Sequence, residues 1–142
     1  SGEGEEKSNL KKLAKKLNIY DCIEWTGWIN TTDLHKLYKK AHVICQPTRN
    51  QESWGKSVTE GMAYSCIPLC SNIGGLKHQL HETPFLLFEP EDFKAISKKL
   101  DLIVKDKNKY ESLKKRSVKN KYIKSIEEYD KHIMNKINDY YK

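Results

Sequence analysis

Glu52 and Glu60 stand eight positions apart in the stretch Pro47-Thr48-Arg49-Asn50-Gln51-Glu52-Ser53-Trp54-Gly55-Lys56-Ser57-Val58-Thr59-Glu60-Gly61-Met62-Ala63. Eight residues of helix advance about 12 Å at ~1.5 Å per residue, so the two carboxylates suit opposite ends of a long polar ligand. Between them, Ser53-Trp54-Gly55-Lys56-Ser57 marks a helix start. Unpaired backbone N–H groups and the positive end of a helix dipole there favour an anion such as a diphosphate. Two glutamates at this spacing also recur in ordinary acidic helices, so the elements around them must decide.

Those elements alternate. Leu10, Leu13, Ala14 and Leu17 recur at helical spacing with lysines between them, predicting an amphipathic helix that ends near Asn18. Ile23-Glu24-Trp25-Thr26 alternates as a strand. Thr31 or Thr32 can cap a second helix carrying Leu34, Leu37, Tyr38 and Ala41. His42 to Gln46 reads as a buried strand stopped by Pro47, and a third helix is expected from about Trp54 to Tyr64.

The strand Ile67-Pro68-Leu69-Cys70 follows, then Ser71-Asn72-Ile73-Gly74-Gly75, a short helix near Leu76 to His81, and the strand Phe85 to Phe88. From Pro90 onward the pattern is helical, with one stripe at Phe93, Ile96, Leu100 and Ile103 and another at Ile126, Tyr129, Ile133, Ile137 and Tyr141. The expected fold is α/β, a Rossmann-like doubly wound parallel sheet. Its loops at the carboxyl ends of strands are where ligands bind. A single domain over 1–142 is expected, with the α/β core over about 1–104 and C-terminal helices over 105–142.

Composition narrows the function classes. The 142 residues are 37% hydrophobic and 32% charged, as in soluble globular domains. No apolar run approaches the ~20 residues that span a bilayer, and no signal-peptide pattern opens the chain, so a cytoplasmic protein is expected. Cys22, Cys45, Cys66 and Cys70 are irregularly spaced within or beside strand-like runs and read as buried free thiols, with no metal pair at Cys66 and Cys70.

The net charge of +7 is local. Lys105 to Lys124 holds nine basic and two acidic residues, which alone gives +7. Such a run serves as a solvated helix face, or as peripheral contact with anionic headgroups at the inner face of a membrane. It lacks an aromatic stacking platform or recognition motif, so nucleic acid is not expected as a partner.

The Glu-x7-Glu stretch, the Gly-x-Gly opening, Trp25-Thr26-Gly27-Trp28, the Ala41 to Pro47 strand and Ser71-x2-Gly74-Gly75 occur in the order of a known family. In them the chain resembles the C-terminal, donor-binding domain of retaining glycosyltransferases with the GT-B fold, of the group-1, family-four type. The resemblance implies a nucleotide-diphosphate sugar as donor substrate, no cofactor and no bound metal. It also implies a glycan or lipid-linked acceptor held by an N-terminal domain, and a place in surface polysaccharide or envelope glycan synthesis. Rival readings are a nucleotide-sugar-binding module without turnover and a basic nucleic-acid-binding domain.

By position, the resemblance implies that Glu52 is the catalytic carboxylate, reaching sugar hydroxyls near the reacting carbon. Glu60 accepts the ribose hydroxyls. Gly55, Lys56 and Ser57 match the turn whose N–H groups meet the diphosphate, Gly27 and Trp28 line the base pocket, and Gly74 and Gly75 lie in the donor crevice. Lys56 departs from the family's aliphatic residue and would add a cation there. His78 stands where many relatives have glutamate, and no role falls to it. Relatives begin this domain with two further strands and a helix that carry the phosphate-binding Arg and Lys. The first of those strands would lie between the segment near Trp25 and the strand near Ile44, so a longer protein is expected, with the fragment alone inactive.

Overall fold

A computed structural model describes residues 3–120 together with Ile123 and Glu128. The second helical stripe expected from the sequence, Ile126 to Tyr141, lies outside the described residues. The chain forms two compact units, one up to Leu37 and the other from Tyr38 on.

In the first unit, α1 (Lys7–Lys16) is followed by a single 3-10 turn at Tyr20–Cys22. The apolar stripe of α1 is only partly used: Ala14 is buried, while Leu10, Leu13 and Leu17 are each about half exposed. Ile23 has extended dihedrals, φ −115° and ψ 121°. The strand expected over Ile23 to Thr26 is nonetheless absent, because no ladder partner pairs with this segment among the described residues. An alternating pattern makes a backbone extended, and only a neighbour makes it a strand. Helix α2 (Thr31–Lys40) begins where Asn30 Oδ1 accepts the Asp33 N–H at 2.9 Å, so Asn30 supplies the capping interaction expected of a threonine.

The second unit is built on three parallel strands in the order β1 (Val43–Gln46), β2 (Ile67–Ser71), β3 (Leu87–Phe88). Helices α3 (Lys56–Ala63), α4 (Gly74–Gln79), α5 (Phe93–Lys105) and α6 (Lys107–Val118) complete it. This is the Rossmann-like α/β arrangement that the sequence predicts. Central β2 is buried at every residue. It tolerates Pro68 for a geometric reason. The Ile67 N–H donates to His42 O on the β1 side, so the missing Pro68 donor would face β3, whose pairing begins only at Cys70.

Strand β1 pairs β2 in the register Val43↔Ile67 to Gln46↔Cys70, with no neighbour on its other edge among the described residues. It is therefore half-exposed rather than buried, and Cys45 lies on the surface. The expectation of four buried thiols holds for Cys66 and Cys70 and fails for Cys22 and Cys45.

The core joins Val58, Met62, Ile67, Cys70, Leu76, Leu80, Leu86, Ile103 and Leu113. Each large apolar side chain buried there contributes about 1.5–3 kcal/mol. Leu113 ties α6 into the same core as the sheet. Of the stripe read on α5, Ile103 is buried and Phe93 is exposed. The expected strand from Phe85 is short, because Pro84 opens a 3-10 turn through Leu86 and leaves two residues to pair.

Candidate functional site

The loops leaving β1 and β2 at their carboxyl ends are fastened together. The Gly75 N–H donates to Glu52 O at 2.9 Å. A Cβ on Gly74 would overlap the Glu52 carbonyl, and one on Gly75 would overlap Ser53 O. The backbone that approaches these glycines is thus the Glu52 to Trp54 loop of the same chain. Gln79, buried in α4, extends the clamp: its Nε2 donates to Trp54 O and its Oε1 accepts Thr59 Oγ1 at 3.0 Å.

On this base the Glu52 side chain turns back to the start of α3. Its Oε1 accepts the N–H groups of Trp54 at 3.3 Å and Gly55 at 3.0 Å, and its Oε2 accepts Gln46 Nε2 at 2.9 Å. Gly55 takes φ +80° and ψ 56°, a left-handed conformation natural to glycine, and the helix begins at Lys56 rather than Trp54. Among the described residues no hydrogen bond reaches the N–H groups of Lys56 and Ser57. They are first-turn donors aimed out of the helix, beside the positive end of its dipole.

Glu60 lies one turn further along α3 and is about one-third exposed. Tyr38 Oη donates to its Oε2 across a long 3.4 Å, and Lys56 Nζ stands 3.8 Å from its Oε1. Burial pushes the Tyr38 phenol above its ordinary range, and the Glu60 charge adds to the shift. The Lys56 side chain is almost fully exposed. Glu52, Gly55, Lys56, Ser57, Glu60, Gly74 and Gly75 thus share one unit, and hydrogen bonds join its loops.

Gly27 and Trp28 belong to the first unit. Gly27 takes φ +62°, and Trp28 is 85% exposed, so it is no core aromatic. A cavity of about 250 Å³ lies within that unit, lined by Gly4, Lys7, Leu10, Trp25, Thr26 and Gly27 among others. The Trp25 indole Nε1 is buried without a hydrogen-bond partner among the described residues. Another cavity, of about 120 Å³ between Met62, Pro68, Leu86 and Leu113, is lined by none of the predicted site residues.

Part of the basic run is spent internally. Arg116 donates to Glu82 O at 2.8 Å, Lys109 sits 4.0 Å from the centre of the Phe85 ring, and Lys114 lies over Tyr110. No group of side chains suited to a metal ion occurs among the described residues, and no helix there is long and apolar enough to cross a membrane.

Sequence reasoning missed Gln46, Tyr38 and Gln79, which hold the two glutamates and their loop. The signals were a polar residue closing an apolar strand, a tyrosine on a core-facing stripe and a glutamine amid leucines.

Comparison with known proteins decides the family. Residues 1–120 match the glycosyl transferases of group 1. The chain belongs to that family. Among curated relatives, an uncharacterized glycosyltransferase of Haemophilus influenzae is 31% identical over 111 residues, which cover 77% of this chain and 31% of that protein. An uncharacterized glycosyltransferase of Methanocaldococcus jannaschii is 28% identical over 107 residues, 75% of this chain and 27% of that protein. The match covers somewhat under a third of the length of these two curated relatives.

Proposed function

We propose that the chain is the donor-binding part of a retaining glycosyltransferase. It takes a nucleotide-diphosphate sugar and passes the sugar to an acceptor hydroxyl, in surface polysaccharide or envelope glycan synthesis. The observation that carries the reading is the start of α3: two N–H groups, at Lys56 and Ser57, that are unpaired among the described residues and flanked by a carboxylate on either side. Family membership supplies the reaction class.

The diphosphate sits on the Lys56 and Ser57 N–H groups, with Lys56 Nζ adding a mobile cation. Glu60 accepts the ribose hydroxyls, and its Tyr38 hydrogen bond limits its rotamers. Glu52 faces the sugar and supports positive charge at the reacting carbon. The bond from that carbon to the phosphate oxygen breaks as the acceptor oxygen bonds on the same face, and the acceptor proton passes to the departing diphosphate. The N–H groups act where charge builds on the leaving group. Gly27 and Trp28 line the base pocket, next to the cavity in their unit. Gly74 and Gly75 shape the crevice by holding the Glu52 loop.

The same reading has the enzyme in the cytoplasm, with lysines of the Lys105 to Lys124 run meeting anionic headgroups at the inner face of the membrane. Salt-sensitive flotation with vesicles containing phosphatidylglycerol tests that contact. The function is tested by incubating the intact enzyme with labelled nucleotide-diphosphate sugars and glycan acceptors. Transfer with the anomeric configuration kept supports the reading, and an inverted product rejects it.

A further inference from the structure

We propose that Gln46 is a positioning residue for transfer, holding the Glu52 carboxylate at a fixed orientation from the sheet; this rests on the role given to Glu52 above. The two oxygens of that carboxylate are held from different bodies. Oε1 takes its donors from the loop, at Trp54 and Gly55, whereas Oε2 takes Gln46 Nε2 at 2.9 Å.

Gln46 closes β1, whose backbone is locked to β2 by the pairing that ends at Gln46↔Cys70. Ile44, two residues earlier and on the same face, lies against Gly61 of α3, so the Gln46 side chain leaves the sheet on the side where Glu52 stands. A sugar that takes over loop N–H groups frees Oε1, and Gln46 remains as the pivot. A neutral amide suits that task. It donates to the carboxylate without neutralising the charge that the transition state needs, as a lysine or arginine there would.

The test compares Gln46→Leu, Gln46→Glu and Gln46→His in the intact enzyme, with kcat and donor KM measured separately. Leucine removes the donor, glutamate keeps the shape but opposes Glu52, and histidine places an N–H at similar reach. The expected result is kcat lowered about tenfold to a hundredfold by leucine and at least as much by glutamate, the fold-change of a lost hydrogen bond to a charged group. Histidine returns kcat to within about fivefold, and donor KM stays within about threefold throughout.

A residue that merely braces the fold would lower the melting temperature without this split or the rescue. Wild-type kcat in Gln46→Glu, or losses confined to KM, overturns the proposal, and the near-isosteric glutamate decides the matter if leucine prevents folding. Glu52→Gln, run alongside, separates the two ideas. Full activity in that variant removes the role of Glu52 itself, whereas its loss with Gln46 variants unaffected removes only the role of Gln46.

Discussion

The Gly75 N–H donates to the backbone oxygen of Glu52 at 2.9 Å, so the loop that carries the proposed catalytic carboxylate is built onto the first turn of α4. The paired glycines are the condition for that contact. Gly75→Ala places a methyl group on Ser53 O and is expected to lower stability by about 1–3 kcal/mol, the range for overpacking. Gly74→Ala costs more, since its φ of +50° adds about 1 kcal/mol for a left-handed alanine. Urea denaturation midpoints of both variants check this, and unchanged midpoints would show that the loops are not joined.

Lys56 tests whether a side-chain cation serves the anion site. Its ammonium is exposed and stands 3.8 Å from Glu60, too loosely paired to matter for folding. Lys56→Met is expected to leave the melting temperature unchanged and to raise donor KM about threefold to tenfold at low salt, with a smaller difference at high salt as screening sets in. Steady-state kinetics across salt concentrations measures it. An unchanged KM would confine anion binding to the backbone.

The cysteines give a pH prediction. Burial pushes the Cys70 thiol from 9.0 up to about 12, with the neighbouring Cys45 adding to it, and burial also raises Cys66. Both protons are held more tightly in the folded state. Their contribution to stability is therefore complete below about pH 9, where unfolded thiols ionise, and is lost as pH rises through the folded values. Across that window Cys70 contributes a slope of up to about 1.4 kcal/mol per pH unit, which Cys70→Ser would remove, and Cys66 adds in the same direction. Stability curves between pH 8 and 11 read the effect. Thiol reagents at pH 8 should label exposed Cys22 first and desolvated Cys45 more slowly, with Cys66 and Cys70 reacting only on unfolding.

Much of the second unit was legible from local pattern. The apolar runs at Val43 to Gln46 and Ile67 to Ser71, the glycines after β2 and the periodic face of α3 state their conformations within a few residues. What local pattern leaves open is partnership. Ile23 to Thr26 alternates like a strand yet pairs with nothing described, and Leu10, Leu13 and Leu17 repeat like a core face yet remain half exposed. Both need a neighbour that period and propensity do not name.

The candidate site divides in the same way. The Glu52 to Glu60 spacing pointed to α3, but the clamp of Gln46, Gln79 and Gly75 around the Glu52 loop brings together residues far apart in the chain. Only the folded sheet shows that a polar residue ending β1 meets a carboxylate six positions on.

The central claim is that Glu52 acts in the transition state while Glu60 and the start of α3 bind the donor. Its most direct test is the kcat of Glu52→Gln in the intact enzyme, with donor affinity measured separately by calorimetry. The account predicts a loss of kcat of about a hundredfold or more, the scale of one removed transition-state stabiliser, with donor Kd within about fivefold of wild type. A variant that keeps kcat within about threefold, or that loses only donor affinity, would contradict it.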